Sequence, residues 1–497
     1  MKIRRLIGGI WAWGLLSLSA SPAATRYVNV SNATPAAPFT NWGMAATSIQ
    51  PAIDAAASGD EILVAPGTYY LSSAEVYIPP EKALTLRSTQ SRAAIIDAQQ
   101  HSRGLQIQGT NSWVEGFTVR SGGWVVGYGG GLLVGRACTV RDCLVTGNWA
   151  GMGAGIFVGS EATNALVEDC TIEGNTATNG PGGGVVLYEN SRGRLNRCII
   201  RNNGADYGGG VWITEGGSIS NCRIIGNRAG LEHGGGVYMD ASGTANPATL
   251  VNSVIASNMA TRYGGGVYSA GPAGTLSPIV NCTIVSNEAG EDGGGTYAYT
   301  TRFVNDILYF NVAPTNANLN AHDSEHSCII SNCCTTSNYF WPNLTNAPAF
   351  VDASAEDFRL ATASPGIDAG TTNGAPRTDI AGNPRPRIGM PQVELPDPPP
   401  PQCDMGAYEY GFHFNDVRFI GPNTVQLRWD VQNLGIYKLD VETNGTLSAP
   451  WITNVVVFTN AGLMPGQFLV HTQTVVIADP PIPAKSNFRL RISRYFL

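Results

Sequence analysis

One short unit, returning along residues 138–332, limits what this chain can fold into. It reads Asp142-Cys143-Leu-Val-Thr-Gly-Asn148, then Asp169-Cys170-Thr-Ile-Glu-Gly-Asn175 and Arg197-Cys198-Ile-Ile-Arg-Asn-Asn203. Next come Asn221-Cys222-Arg-Ile-Ile-Gly-Asn227, Asn252-Ser253-Val-Ile-Ala-Ser-Asn258 and Asn281-Cys282-Thr-Ile-Val-Ser-Asn287. Asn305-Asp306-Ile-Leu-Tyr-Phe-Asn311 is a degenerate copy, and Ser327-Cys328-Ile-Ile-Ser-Asn332 a shortened one. From Cys143 to Asp306 the spacings are 27, 28, 24, 31, 29 and 24 residues. A second mark follows the copies: Gly182-Gly-Gly-Val185, Gly208-Gly-Gly-Val-Trp212, Gly234-Gly-Gly-Val-Tyr238, Gly264-Gly-Gly-Val-Tyr268 and Gly293-Gly-Gly-Thr-Tyr297.

A period of this length denotes a solenoid, in which each repeat packs only on its neighbours. Apolar and β-branched residues come in runs of three to five, the length of a strand, with no helical stripe. Such a period holds three short strands and three turns per coil, the third strand being inferred. In a parallel stack, equal positions lie about 4.8 Å apart. Asn148, Asn175, Asn203, Asn227, Asn258, Asn287 and Asn311 are therefore expected to pass amide hydrogen bonds from coil to coil at a buried turn. Cys143, Cys170, Cys198, Cys222 and Cys282 are expected to stack inside as free thiols, since parallel Cβ vectors suit a bridge poorly. A disulfide is more plausible among Cys328, Cys333, Cys334 and Cys403, where the repeat decays. Cys333-Cys334 lacks metal-ligand spacing.

The chain divides into four stretches. Residues 1–23 read as an export signal: Lys2, Arg4 and Arg5, an apolar run from Ile7 to Leu18, then Ser21-Pro22-Ala23 as a cleavage site. That run is short for a membrane span, and no second one follows. Residues 24–335 hold the coils. Ile49 to Ala57 is a short amphipathic helix that caps the stack, and Glu61 to Tyr69 is the first strand and turn. Residues 336–411 carry a different set: Asp368-Ala-Gly370, Asp379-Ile-Ala-Gly-Asn-Pro-Arg385 and Asp404-Met-Gly-Ala-Tyr-Glu409, interrupted by the proline-rich Pro396–Pro401. Residues 412–497 alternate as short strands, the pattern of a small β-sandwich with Trp429 and Trp451 in its core.

The repeats resemble right-handed parallel β-helix proteins of the pectate-lyase-like superfamily. Their G-G-G-[VT]-[YW] and N-x-x-x-x-N marks also resemble repeats of chlamydial polymorphic outer-membrane proteins. The set from Asp368 to Glu409 is similar to the tail of "choice-of-anchor Q" β-helix proteins, although the proline-rich insert departs from it. The resemblance implies an all-β, right-handed parallel β-helix on an exported or surface protein. It implies no single activity, since β-helices host lyases, hydrolases, adhesins and passenger domains.

Charged residues make up 13% of the chain and the net charge is −7, with no basic cluster beyond the N-terminus. That excludes a nucleic-acid footprint. The hydrolase set N-T-D, D-D, G-H-G and R-I-K is absent; Glu232-His-Gly-Gly-Gly236 only grazes it. The candidate ligand-binding residues are the variable pairs before the glycines: Asp206-Tyr207, Glu232-His233, Arg262-Tyr263 and Glu291-Asp292. In register they form one polar row suited to an extracellular polysaccharide, with Tyr faces against sugar rings and Glu232 with His233 as a potential acid–base pair. A solvated turn row is the plain alternative. Trp212, Tyr238, Tyr268 and Tyr297 are expected to stack on the sheet rather than to bind. The expected function is surface display, adhesion or glycan binding, with a polysaccharide lyase or hydrolase as the alternative. No cofactor or metal is expected, except calcium for a lyase, and the default state is a monomer.

Overall fold

The computed structural model describes residues 23–410, except 161, 190, 241–245, 272–274, 322–327, 337–342, 362–363, 384 and 386–401. Beyond them it describes six strands between Phe414 and Tyr495. The expected export signal, Pro396–Pro401 and Trp451 lie outside these residues.

The chain winds as a right-handed parallel β-helix. Four parallel sheets run along it. The first has 12 strands, from Thr25–Val28 to Ile329–Ser331, and the second has 11, from Gly67–Tyr70 to Cys334–Thr335. The third has 7, from Gly123–Tyr128 to Glu288–Ala289, and the fourth has 10, from Val76–Ile78 to Leu319–Ala321. One coil runs through Leu166–Glu168, Thr171–Glu173, Thr176–Ala177 and Val185–Leu187 before returning to the first sheet at Arg194–Asn196.

The expectation of three strands per coil is thus corrected to four across the central coils. The additional strand is only two residues in most of them, such as Thr176–Ala177 and Arg228–Ala229, too short to register as an apolar run. Its inner column is alanine: Ala150, Ala177, Ala205, Ala229, Ala260 and Ala289 are all buried. The beginning also differs. Thr25–Val28 pairs in parallel with Glu61–Val64, so a strand precedes the expected first one. The cap helix is Ile49–Ala55, with Ile49, Ala52 and Ile53 buried over the open end.

Inward columns form a continuous core. Val140, Val167, Leu195, Ile219, Leu250, Ile279 and Phe303 line the first sheet; Val145, Ile172, Ile200, Ile224, Ile255, Ile284 and Leu308 line the second. Burying each such side chain contributes about 1.5–3 kcal/mol before ordering entropy is counted.

Two polar columns hold the turns. Asn148, Asn175, Asn203, Asn227, Asn258, Asn287 and Asn311 are buried as expected. Each donates an amide N–H to the next asparagine's Oδ1, for example Asn203 to Asn227 at 3.0 Å and Asn258 to Asn287 at 2.9 Å. The last rung is Asn318, accepting from Asn311 at 3.1 Å, which the spacing did not reveal. All ten cysteines are free thiols. The N–H of Cys143 donates to Sγ of Cys170, and that of Cys198 to Sγ of Cys222, both at 3.4 Å. Ser253 and Asp306 occupy the same position in their coils.

Two readings of the cysteines are corrected. The expected bridge among Cys328, Cys333, Cys334 and Cys403 does not form. Their Sγ atoms donate instead to the carbonyls of Tyr299, Ser331, Asn346 and Thr371. In addition, Cys333 is the inward rung, accepting the N–H of Asp306, whereas Cys328 precedes a first-sheet strand. The last repeat therefore reads Asn332-Cys333-Cys334, in register with Asn305-Asp306.

The described residues between Asn343 and Tyr410 fold back over the outside of the second sheet. Phe358, Leu360, Met405 and Ala407 bury Ile225, Val254, Ala256, Val285 and Ile307. At the outer positions of the earlier coils stand Thr171, Glu173, Ile199 and Arg201, none of them buried. The residue before the inward cysteine follows the same division. Asp142 and Asp169 pair with arginines there, whereas Asn252, Asn281 and Asn305 are buried beneath the tail. Asn252 donates to the carbonyl of Thr378, Asn281 to that of Asp404 and Asn305 to that of Thr371. Arg385, fully buried, pairs with Glu409 and donates to Oδ1 of Asn252 at 3.0 Å. The six C-terminal strands form two three-stranded antiparallel sheets.

Candidate functional site

Each of the four coils from Asp206 to Asp292 leaves the third sheet through a polar pair and enters the fourth through glycines. The first glycine takes the left-handed conformation, as at Gly208 and Gly234. A Cβ on the second, Gly235, would lie 2.4 Å from backbone atoms of Met259 in the next coil. The glycines thus bring the coils into backbone contact and force the preceding residues into line.

The eight residues singled out in the sequence do form this line. The N–H of Glu232 donates to the carbonyl of Asp206, that of Arg262 to Glu232 and that of Glu291 to Arg262. One column is therefore Asp206, Glu232, Arg262 and Glu291. Beside it, Gly182 donates to the carbonyl of Tyr207, Gly208 to His233, Gly234 to Tyr263 and Gly264 to Asp292. The second column is Tyr207, His233, Tyr263 and Asp292.

Most of the charges in the row are already engaged. Arg262 lies between two carboxylates, 3.3 Å from Glu232 and 3.0 Å from Glu291. Its guanidinium carbon is 5.0 Å from the Tyr263 ring. Asp292 accepts from Asn320 at 2.7 Å and from Asn316 at 3.1 Å. Asp206 has no side-chain partner among the described residues, and burial raises its carboxyl pKa. His233 lies 3.2 Å from Glu232 and stacks on Tyr263 and Tyr268, with centroids 4.9 and 4.6 Å apart. Burial of the ring lowers its pKa and favours the neutral form.

A third column faces outward from the fourth sheet. In register it reads Phe157, Val186, Trp212, Tyr238, Tyr268 and Tyr297. The rings stack on one another as expected: Tyr238 and Tyr268 lie 4.8 Å apart, and Tyr268 and Tyr297 5.6 Å. Burial among these rings raises the phenol pKa values of Tyr238, Tyr268 and Tyr297, so all three stay neutral.

The row extends further upstream than its polar pairs. Gly129 donates to the carbonyl of Met152, and Gly153 to that of Pro181, which continues the second column upstream. Tyr128 pairs with Met152 and begins it. The signal was present as Tyr128-Gly129-Gly130-Gly131, a glycine triplet without a complete N-C-x-I unit ahead of it.

A right-handed β-helix region family model matches residues 103–311, the coils that carry most of this row. Among solved structures the chain is similar to pectate lyase Pel9A, at 15% identity and a TM-score of 0.52, covering 79% of this chain and 98% of that one. It is also similar to XylC in complex with xylose, at 9% identity and a TM-score of 0.47, covering 78% and 98%. A rhamnogalacturonan lyase follows at 13% identity and a TM-score of 0.36, covering 71% and 97%. No curated protein matches the chain. The fold and its columns define a right-handed parallel β-helix, the architecture shared with Pel9A. At this identity the likeness extends to the fold alone.

Proposed function

We propose that this is an exported β-helix that displays a glycan-contact edge and serves adhesion or surface presentation without catalysis. The observation that carries the reading is the registered row from Asp206 to Asp292, bordered along its length by aromatic rings. A row of equal steps suits a polymer of repeating units. Glu232 and Glu291 are held by Arg262, which leaves them as fixed acceptors for hydroxyls rather than as a free acid and base.

The 3.2 Å contact between Glu232 and His233 favours one second reading, a polysaccharide-active enzyme. Incubating the protein with uronic-acid and neutral polysaccharides, with and without calcium, separates the two. The expected result is retention of a glycan with no new reducing ends and no unsaturated product, and weaker retention in Tyr263→Ala. Product that disappears in Glu232→Gln or His233→Ala would establish the enzyme instead.

A further inference from the structure

The edge does not end at the eight residues of the row. Upstream, the aromatic rings become exposed: Trp124 is 44% and Tyr128 49% accessible, whereas Phe157, Trp212, Tyr268 and Tyr297 are buried. Tyr128 stacks on Phe157 at 4.7 Å with 22° between the planes. Arg103 lies 5.5 Å from the Trp124 ring. Its guanidinium is already committed to Glu75, Gln106 and the carbonyls of Tyr128 and Gly129, so it supports the indole without offering a free charge. From Tyr128 the rings continue through Phe157, Tyr188, Trp212, Tyr207 and Tyr238 to Tyr268, each within 6.2 Å of the next. The indole N–H of Trp212, beside Tyr207, is buried and has no partner among the described residues, a donor left over at the middle of the edge.

We propose that this edge binds a neutral polysaccharide laid along the solenoid axis, with Trp124 and Tyr128 as the platform on which its sugar rings stack. The proposal rests on the glycan-contact reading and narrows it to one chemical class. Exposed ring faces favour the apolar faces of sugars. Charge then decides among sugars. The row carries Asp206, Glu232, Glu291 and Asp292 against Arg262 alone, with His233 held neutral by burial, so a polyuronate meets repulsion along its length. A cationic amino-glycan needs a run of free carboxylates, but those of Glu232, Glu291 and Asp292 are already engaged, which leaves Asp206 alone without a side-chain partner among the described residues.

The test is affinity electrophoresis of the full chain in gels containing soluble xylan, mixed-linkage glucan, polygalacturonate or chitosan oligomers, at low and high salt. The expected result is retardation by a neutral polymer that salt barely changes, and none by polygalacturonate. The double variant Trp124→Ala/Tyr128→Ala should lose about tenfold in affinity. Circular dichroism should show an unchanged fold, because both side chains are half-exposed. Retardation by polygalacturonate or chitosan alone overturns the neutral class and leaves the glycan reading standing. Neutral binding that survives the double variant overturns the platform. No retardation by any polymer overturns the glycan reading, and this proposal with it.

Discussion

At the residue scale, each position of the repeat answers one physical demand of stacking. The buried asparagine satisfies the turn of its own coil and that of the next. Asn227 accepts from both the backbone and the side-chain N–H of Asn203, and donates to the carbonyl of Ile200 and to Asn258. Replacing it by alanine strands several buried polar groups at once. Asn227→Ala is expected to cost about 3 kcal/mol, read as a lower thermal midpoint and as faster amide exchange in the coils on either side. Gly235 illustrates the opposite demand, for empty space. Gly235→Ala places a Cβ against the backbone of Met259, so it should open the stack locally and yield mainly insoluble protein on expression. Both columns were legible in the sequence because identical residues at equal repeat positions must meet in a parallel coil. Asn318 was not, since it lies only seven residues beyond Asn311 and belongs to no complete repeat.

At the element scale, the tail from Asn343 to Tyr410 gives the second sheet its cover. Its signature residues serve to dock it. Asp379 accepts two hydrogen bonds from Asn383 and the N–H of Glu409, while Arg385 holds Glu409 and Asn252 together. Asp404 accepts the N–H of Asp368 and of Tyr410, and burial, followed by the like charges of Glu409 and Asp368, pushes its carboxyl up to about 7. A raised carboxyl favours the protonated folded form. The tail is therefore most firmly docked below the ordinary carboxylate value, loosens as pH rises through about 7 and changes no further above it. Limited proteolysis should release the tail faster at about pH 8 than at about pH 5, and Asp404→Asn should level the two rates. Breaking the buried pair by Arg385→Ala should expose the tail at both pH values, since an unpaired buried Glu409 costs about 3–5 kcal/mol. The motifs from Asp368 to Glu409 stand out in the sequence as a set, but nothing in their spacing says what they cover. The answer lay in the coils: outer positions turn apolar from Ile225 onward except at Thr283, and the residue before the inward cysteine turns from Asp or Arg to Asn.

At the scale of the whole molecule, the solenoid is a sum of neighbour contacts, with few that bind distant coils. Arg92 is one such contact, reaching Asp142 and Thr171, and the tail is another, since it spans the coils from Arg223 to Asn332. Hydrogen exchange should therefore show graded opening: the coils from Asn221 to Asn311 protected longest, the uncovered coils near Thr85–Arg120 earlier to exchange. Uniform protection along the stack would contradict that division. By itself the sequence determined the coil: its period, its inward apolar columns, its asparagine and thiol columns and the alignment of the eight polar residues. Those follow because a parallel stack maps equal repeat positions onto equal heights, so local periodicity is already tertiary information. Only the tertiary structure decided the fourth sheet, the missing disulfide, the tail's seat, the engagement of Glu232 and Glu291 by Arg262, and the continuation of the edge to Tyr128. Each depends on which side of a coil a side chain faces and what lies against it, and a periodic sequence does not encode that.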